Sequence, residues 1–113
     1  MIYVLNTLVI PINFDKIQEA RIKVKRISAE EAKKLLREEK FVSAIGHEAT
    51  ARFLSKLLGI EIEMNRKTVF MKPGDRAIHL FLKERLPEGK ILSEKEMKSV
   101  KYWLVLSEIE VEK

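Results

Sequence analysis

The chain has no cysteine, so a reaction could draw only on its two histidines, carboxylates, cations and hydroxyls. Thiol catalysis, disulfides and cysteine-based zinc sites are thereby excluded. Of the histidines, His47 has the better position. It follows Ala44-Ile45-Gly46 and stands at or just before the first turn of a helix predicted over Glu48–Leu58. The first N–H groups of a helix and its positive dipole end attract an anion, typically phosphate. Gly46 allows backbone and ligand to approach closely. An imidazole in that place can touch a bound phosphate or its leaving oxygen, and can hold or release a proton near neutral pH. Position alone leaves two other readings open: a residue in an N-cap-like role, or one merely exposed beside the helix.

His79 falls inside a strand predicted over Arg76–Glu84, where it shares a face with Ala77, Phe81 and Lys83, and it is expected to be a half-buried sheet histidine. Two histidines so far apart, with no flanking acidic ligand pattern, make a very weak metal signal. The segment Lys83-Glu84-Arg85-Leu86-Pro87-Glu88-Gly89-Lys90 places several charges in a loop that Pro and Gly constrain. Arg85 could clamp a phosphate, and Glu88 could orient or charge a histidine; the same residues could equally form a plain charged turn. Asn65-Arg66 reads as a strand pair with outward polar groups. No phosphate-binding glycine loop and no Gly-x-Ser-x-Gly elbow is present, so kinase, dehydrogenase and serine-hydrolase chemistry has no support.

These residues must be held by a small set of elements. Met1–Ile10, rich in β-formers, suits a buried strand ended by Pro11, and Arg21–Ile27 alternates as a strand with one wet face. Ser28-x-x-Glu31 is a capping box opening a helix over Ala29–Glu39, and Gly59 is a natural C′ residue for the helix behind His47. Strands are expected over Ile62–Lys72 and Arg76–Glu84, joined by hairpin chemistry at Pro73-Gly74-Asp75. After the loop Arg85–Ile91, Ser93-x-x-Glu96 opens a short helix to Val100, and Tyr102–Val111 forms a last strand. The expected architecture is one α+β domain over residues 1–113, a mixed sheet of about five strands packed with about three helices.

Composition sets the bounds. The 113 residues carry 22 Lys plus Arg against 17 Asp plus Glu, a net charge of +5, with 46% hydrophobic residues. That is enough for one core and too little for two. The mild basic excess favours an anionic partner without demanding one. Basic residues are not interleaved with an aromatic series along the chain, so a stacking platform for single-stranded nucleic acid has little support. No apolar run approaches the ~18 residues of a spanning helix, and the opening MIYVLNTLVI lacks the basic flank and cleavage site of a signal peptide. The Lys/Glu richness would suit a protein working hot.

Three segments in order carry a resemblance. Ser43-Ala44-Ile45-Gly46-His47-Glu48-Ala49-Thr50, then Met64-Asn65-Arg66, then Arg85-Leu86-Pro87-Glu88-Gly89-Lys90 resemble the viral type III anti-CRISPR ring nucleases, small proteins of archaeal viruses with relatives in phages and cellular genomes. Tyr3-Val4-Leu5-Asn6 matches that family's opening strand and asparagine. The resemblance spans nearly the whole chain and is weakest across 10–40. One departure is visible: many members carry a serine soon after the asparagine, where this chain has Val9.

The resemblance implies a substrate, cyclic tetra-adenylate, the second messenger that switches on type III CRISPR defence nucleases. It implies metal-independent cleavage to linear di-adenylate with a 2′,3′-cyclic phosphate end. It also implies a homodimer with the ring across the two-fold axis, acting in the cytoplasm of the host cell, without cofactor, membrane or stable nucleic-acid partner. By carry-over, His47 is the general acid, Arg85 a phosphate-side or structural cation, and Glu88 a partner tuning His47. Asn6, Gly46, Thr50, Asn65 and Arg66 would bind substrate or shape its pocket. The alternative function is a non-catalytic nucleotide or nucleic-acid binding protein of an archaeal virus.

Overall fold

Five strands and three helices build the sheet and its cover, and the computed structural model describes residues 1–84 and 93–111. In chain order these are β1 Ile2–Leu5, β2 Ile22–Ile27, α1 Ala29–Glu38, β3 Phe41–Ser43, α2 Glu48–Leu58, β4 Arg76–Leu82, α3 Glu94–Ser99 and β5 Tyr102–Ile109. The sheet runs β2-β5-β4-β1-β3. β1 lies parallel to both β3 and β4, while β5 is antiparallel to β4 and β2. The expected single α+β domain with a mixed five-stranded sheet and three helices is what forms.

Local chemistry sets the helix starts. Ser28 accepts from the Glu31 N–H at 3.1 Å while Glu31 accepts from the Ser28 N–H at 3.3 Å. Ser93 and Glu96 repeat the same reciprocal box, which satisfies N–H groups that a helix start leaves without a partner. At the far end of α2, Gly59 adopts φ 65° and its N–H reaches the Ser55 carbonyl, a left-handed stop that costs glycine nothing sterically.

The two sheet faces are covered differently. Ile2, Val4, Ile78, Leu80 and Leu104 meet Ala32 and Leu36 of α1 and Ala51, Leu54 and Leu58 of α2, all buried. Each of the Val, Leu and Ile side chains contributes about 1.5–3 kcal/mol on burial. On the opposite face Leu5, Ala77 and Ile109 pack against Ile10, Ile12, Val69 and Met71, contributed by segments outside the strands.

Four sequence expectations need correction. β1 ends at Leu5, well before Pro11, because the backbone turns away and gives the Thr7 carbonyl to the His79 ring. No strand forms over Ile62–Lys72. That segment makes only two isolated bridges, Ile45 to Met64 and Ile12 to Met71, because its N–H groups are taken one at a time by scattered partners, Ile62 by Ser55, Asn65 by Ile45 and Met71 by Pro11. Pro73-Gly74-Asp75 is accordingly no hairpin, but a turn with Gly74 at φ 92° that leads into β4. The fifth strand is instead Phe41–Ser43, only three residues long and too short for any periodicity to register.

Candidate active site

β3 delivers the chain from the sheet to α2 through Ala44-Ile45-Gly46-His47. The Ala44 N–H donates to the Val4 carbonyl at 2.9 Å, so this connection begins at the carboxyl ends of the parallel strands β1 and β3. In sheets with parallel strands, that end is where ligands bind. Ser43 is buried and its hydroxyl donates to the Glu63 carbonyl at 2.6 Å. The sequence gives this serine no role, because its partner lies on a segment far along the chain.

His47 is the N-cap of α2, with extended backbone at φ −126°, ψ 127°, and its ring makes no capping hydrogen bond. It is exposed. The imidazole is thus neither used up as a cap nor sunk in the core. It stands where the first N–H groups of α2 face outward. Glu48, in the first turn, is drawn along the helix by an ion pair to Arg52 at 2.6 Å.

The segment after α2 wraps back onto the same place. The Asn65 N–H donates to the Ile45 carbonyl at 2.8 Å, and Asn65 Nδ2 donates to the Ser43 carbonyl at 2.7 Å. Asn65 is therefore half-buried and turned inward, against the outward strand position expected for it. Arg66 Nε donates to the Gly46 carbonyl at 2.9 Å, the carbonyl immediately before His47, while the rest of its side chain is exposed. Gly46, His47, Asn65 and Arg66 form one group. Asn6 is half-buried just past the end of β1, on the same end of the sheet. Thr50 is only 7% exposed, so it shapes the base of the helix start more than it can meet a ligand. Val9 is 56% exposed. Arg85 and Glu88 lie outside the described residues.

His79 is fully buried, beyond the half-burial expected. Its Nδ1 lies 2.9 Å from the Thr7 carbonyl and its Nε2 2.7 Å from Ser107 Oγ. A carbonyl can only accept, so Nδ1 carries the proton and Nε2 accepts from the serine hydroxyl. Burial lowers the pKa of this ring, and the bond to Thr7 opposes that only in part. No group of three or more potential metal ligands occurs among the described residues, nor is any helix long and apolar enough to cross a membrane.

Residues 2–104 match the family described as STIV B116-like. The chain belongs to that family. Among relatives of this B116-like chain, "Uncharacterized protein 26" of Sulfolobus islandicus filamentous virus (isolate Iceland/Hveragerdi) is 41% identical over 110 residues, 96% of this chain and 92% of the relative. "Uncharacterized protein ORF117" of Acidianus two-tailed virus is 47% identical over 94 residues, 81% of this chain and 78% of the relative. Among solved structures, B116 of Sulfolobus turreted icosahedral virus superposes with a TM-score of 0.78 at 28% identity, covering 95% of this chain and 97% of that one. These relatives are small proteins of archaeal viruses.

Proposed function

We propose that this B116-like protein is a metal-independent ring nuclease that opens cyclic tetra-adenylate to linear di-adenylate with 2′,3′-cyclic phosphate ends, and so counters type III CRISPR defence in the host cytoplasm. The observation that carries the reading is the exposed, uncapped ring of His47 at the start of α2, beside the Arg66 guanidinium that holds the Gly46 carbonyl. The resemblance of Gly46-His47, Asn65-Arg66 and the Arg85–Lys90 segment to ring nucleases supplies the substrate.

The chemistry asks little of the protein. A ribose 2′-hydroxyl gives up its proton to water as its oxygen attacks the adjacent phosphorus, the bond to the 5′-oxygen breaks, and that oxygen takes a proton as it leaves. The nucleophile belongs to the substrate, so neither a protein nucleophile nor a metal is required. His47 donates the proton, a contribution of about 10²–10⁴-fold. By the resemblance, Arg85 would offset charge growing on the phosphate, and Glu88 would be the partner that tunes His47. Arg66 and Asn65 fix the backbone that presents the acid. Holding the reacting atoms in line can lower the barrier by ~7–11 kcal/mol. A cyclic ligand with two-fold symmetry suits a homodimer in which each subunit offers one His47 to opposite linkages.

Incubation of the protein with cyclic tetra-adenylate, with and without EDTA, followed by mass spectrometry, tests this. Di-adenylate 2′,3′-cyclic phosphate in both samples is expected. An intact ring recovered after long incubation, or cleavage lost with chelator, would overturn it.

A further inference from the structure

A groove on the opposite side of the same sheet end has no part in the chemistry above. β5 opens with Tyr102-Trp103 beside the end of β4, and Phe81 pairs with Trp103 across the two strands. Their rings stack with centroids 5.2 Å apart and planes 19° from parallel. Lys83, just past β4, lays its ammonium 4.6 Å from the indole centroid. Trp103 remains 37% exposed in spite of these neighbours. Next to it opens a cavity of about 730 Å³ whose walls include Arg26, Ser28, Lys83, Lys101 and Trp103. Among the described residues, its charged lining is three cations and no carboxylate. Neither Arg26 nor Lys101 has an ion-pair partner among the described residues.

Along the chain these residues are scattered. The sheet gathers them, since Arg26 is the last residue but one of β2, Trp103 the second of β5 and Lys83 follows β4. With strands about 4.8 Å apart, β5 stands three spacings, about 14 Å, from β3, which leads to His47. The groove is therefore a separate place.

We infer that this groove is a second nucleotide-binding site, in which a base stacks on the Trp103 indole and its phosphate lies among Arg26, Lys83 and Lys101. An unpaired cationic cluster calls for an anion, and an exposed indole face beside it calls for a flat, aromatic one. A nucleotide has both parts joined. The Phe81 ring stiffens the indole by stacking against it, and a phosphate draws Lys83 from the indole face that the base then covers. The nucleotide can be free or a unit of a single strand.

Trp103 is the single tryptophan of the chain, so its fluorescence reports this groove alone. Titration of the intact protein with ADP, with a single-stranded decanucleotide and with inorganic phosphate distinguishes the cases. Saturable quenching by ADP shows a site for free nucleotides; quenching by the decanucleotide alone shows one for a nucleotide within a strand. In either case Arg26→Glu with Lys101→Glu weakens binding by about tenfold or more, with the melting temperature checked to show that the fold is kept. Both side chains are exposed, and Arg26→Gln with Lys101→Gln is the milder pair. No quenching by either nucleotide, an equal response to inorganic phosphate, or affinity unchanged in both double variants overturns the site. A signal that follows protein concentration in place of ligand also overturns it, and assigns the face to a second copy. The assay contains no cyclic ring, so its failure leaves the His47 reading untouched, and failure of that reading leaves this one standing.

Discussion

Arg66 donates through Nε to the Gly46 carbonyl at 2.9 Å, across 20 residues of sequence. Through that bond the segment following α2 grips the peptide directly before His47. The Asn65 bonds to Ile45 and Ser43 grip the two residues on its other side. The imidazole thus hangs from a backbone fixed at three carbonyls, which is how a loop-borne acid keeps its aim.

Removing that grip should cost activity more than stability. Arg66→Ala deletes one exposed hydrogen bond, worth about 1 kcal/mol or less. Its melting temperature should stay close to wild type while the rate of ring opening falls by about tenfold. An unchanged rate would mean that the tie does not aim His47.

Gly46→Ala separates a packing role from a ligand role. The backbone of Gly46 is not in the left-handed region. An added Cβ would meet only the Arg66 side chain, at 3.4 Å from Cγ and 3.9 Å from Nε. The fold should absorb it, with unfolding free energy within about 1 kcal/mol of wild type. Ring affinity, measured by calorimetry in a cleavage-dead background, should nevertheless drop, because a methyl would stand where a phosphate must approach. Unchanged affinity would remove Gly46 from the site.

His47→Ala should still bind the ring and cut it about 10²–10⁴-fold more slowly. Single-turnover rates beside equilibrium binding will show it. The side chain makes no capping bond and is exposed, so stability should hardly change. Comparable loss of binding and cleavage would point to a ligand contact with no proton transfer.

His79 predicts a pH dependence of stability. Burial lowers its folded-state pKa, so the unfolded chain takes up the proton more readily. The neutral ring's contribution is complete above the unfolded value of ~6.5 and is lost as pH falls from there through the lowered folded value. Urea unfolding near pH 7.5 should give a larger free energy than near pH 5. His79→Leu should reduce that slope and cost about 1–3 kcal/mol at neutral pH, since the Ser107 hydroxyl and the Thr7 carbonyl lose their buried partner. An undiminished slope in the variant would assign the pH response to other groups.

Much of the fold is legible in the residues because it rests on local chemistry. The boxes Ser28–Glu31 and Ser93–Glu96, the Gly59 stop and the alternation of residue types in β2 are each written within a few positions. Those signals suffice for an α+β domain and for His47 at a helix start. The three-residue β3 was not legible, because a parallel strand of that length exists only by pairing with β1. Nor was the irregular course of 62–72, whose β-rich composition suits a strand that no neighbour accepts.

What the sequence by itself determined, then, is the inventory: which helices start where, that no thiol exists, and that one histidine precedes a helix. The tertiary structure alone decided the company each residue keeps. It turned Asn65 inward, tied Arg66 to Gly46, buried His79 between Thr7 and Ser107, and gathered Arg26 of β2, Trp103 of β5 and Lys83 just past β4. Hydrogen bonds and ring contacts act over a few ångströms of space, whereas the partners here stand 20, 22 and 72 residues apart along the chain. The sheet order β2-β5-β4-β1-β3 and the segment that wraps back after α2 bring such distances to contact.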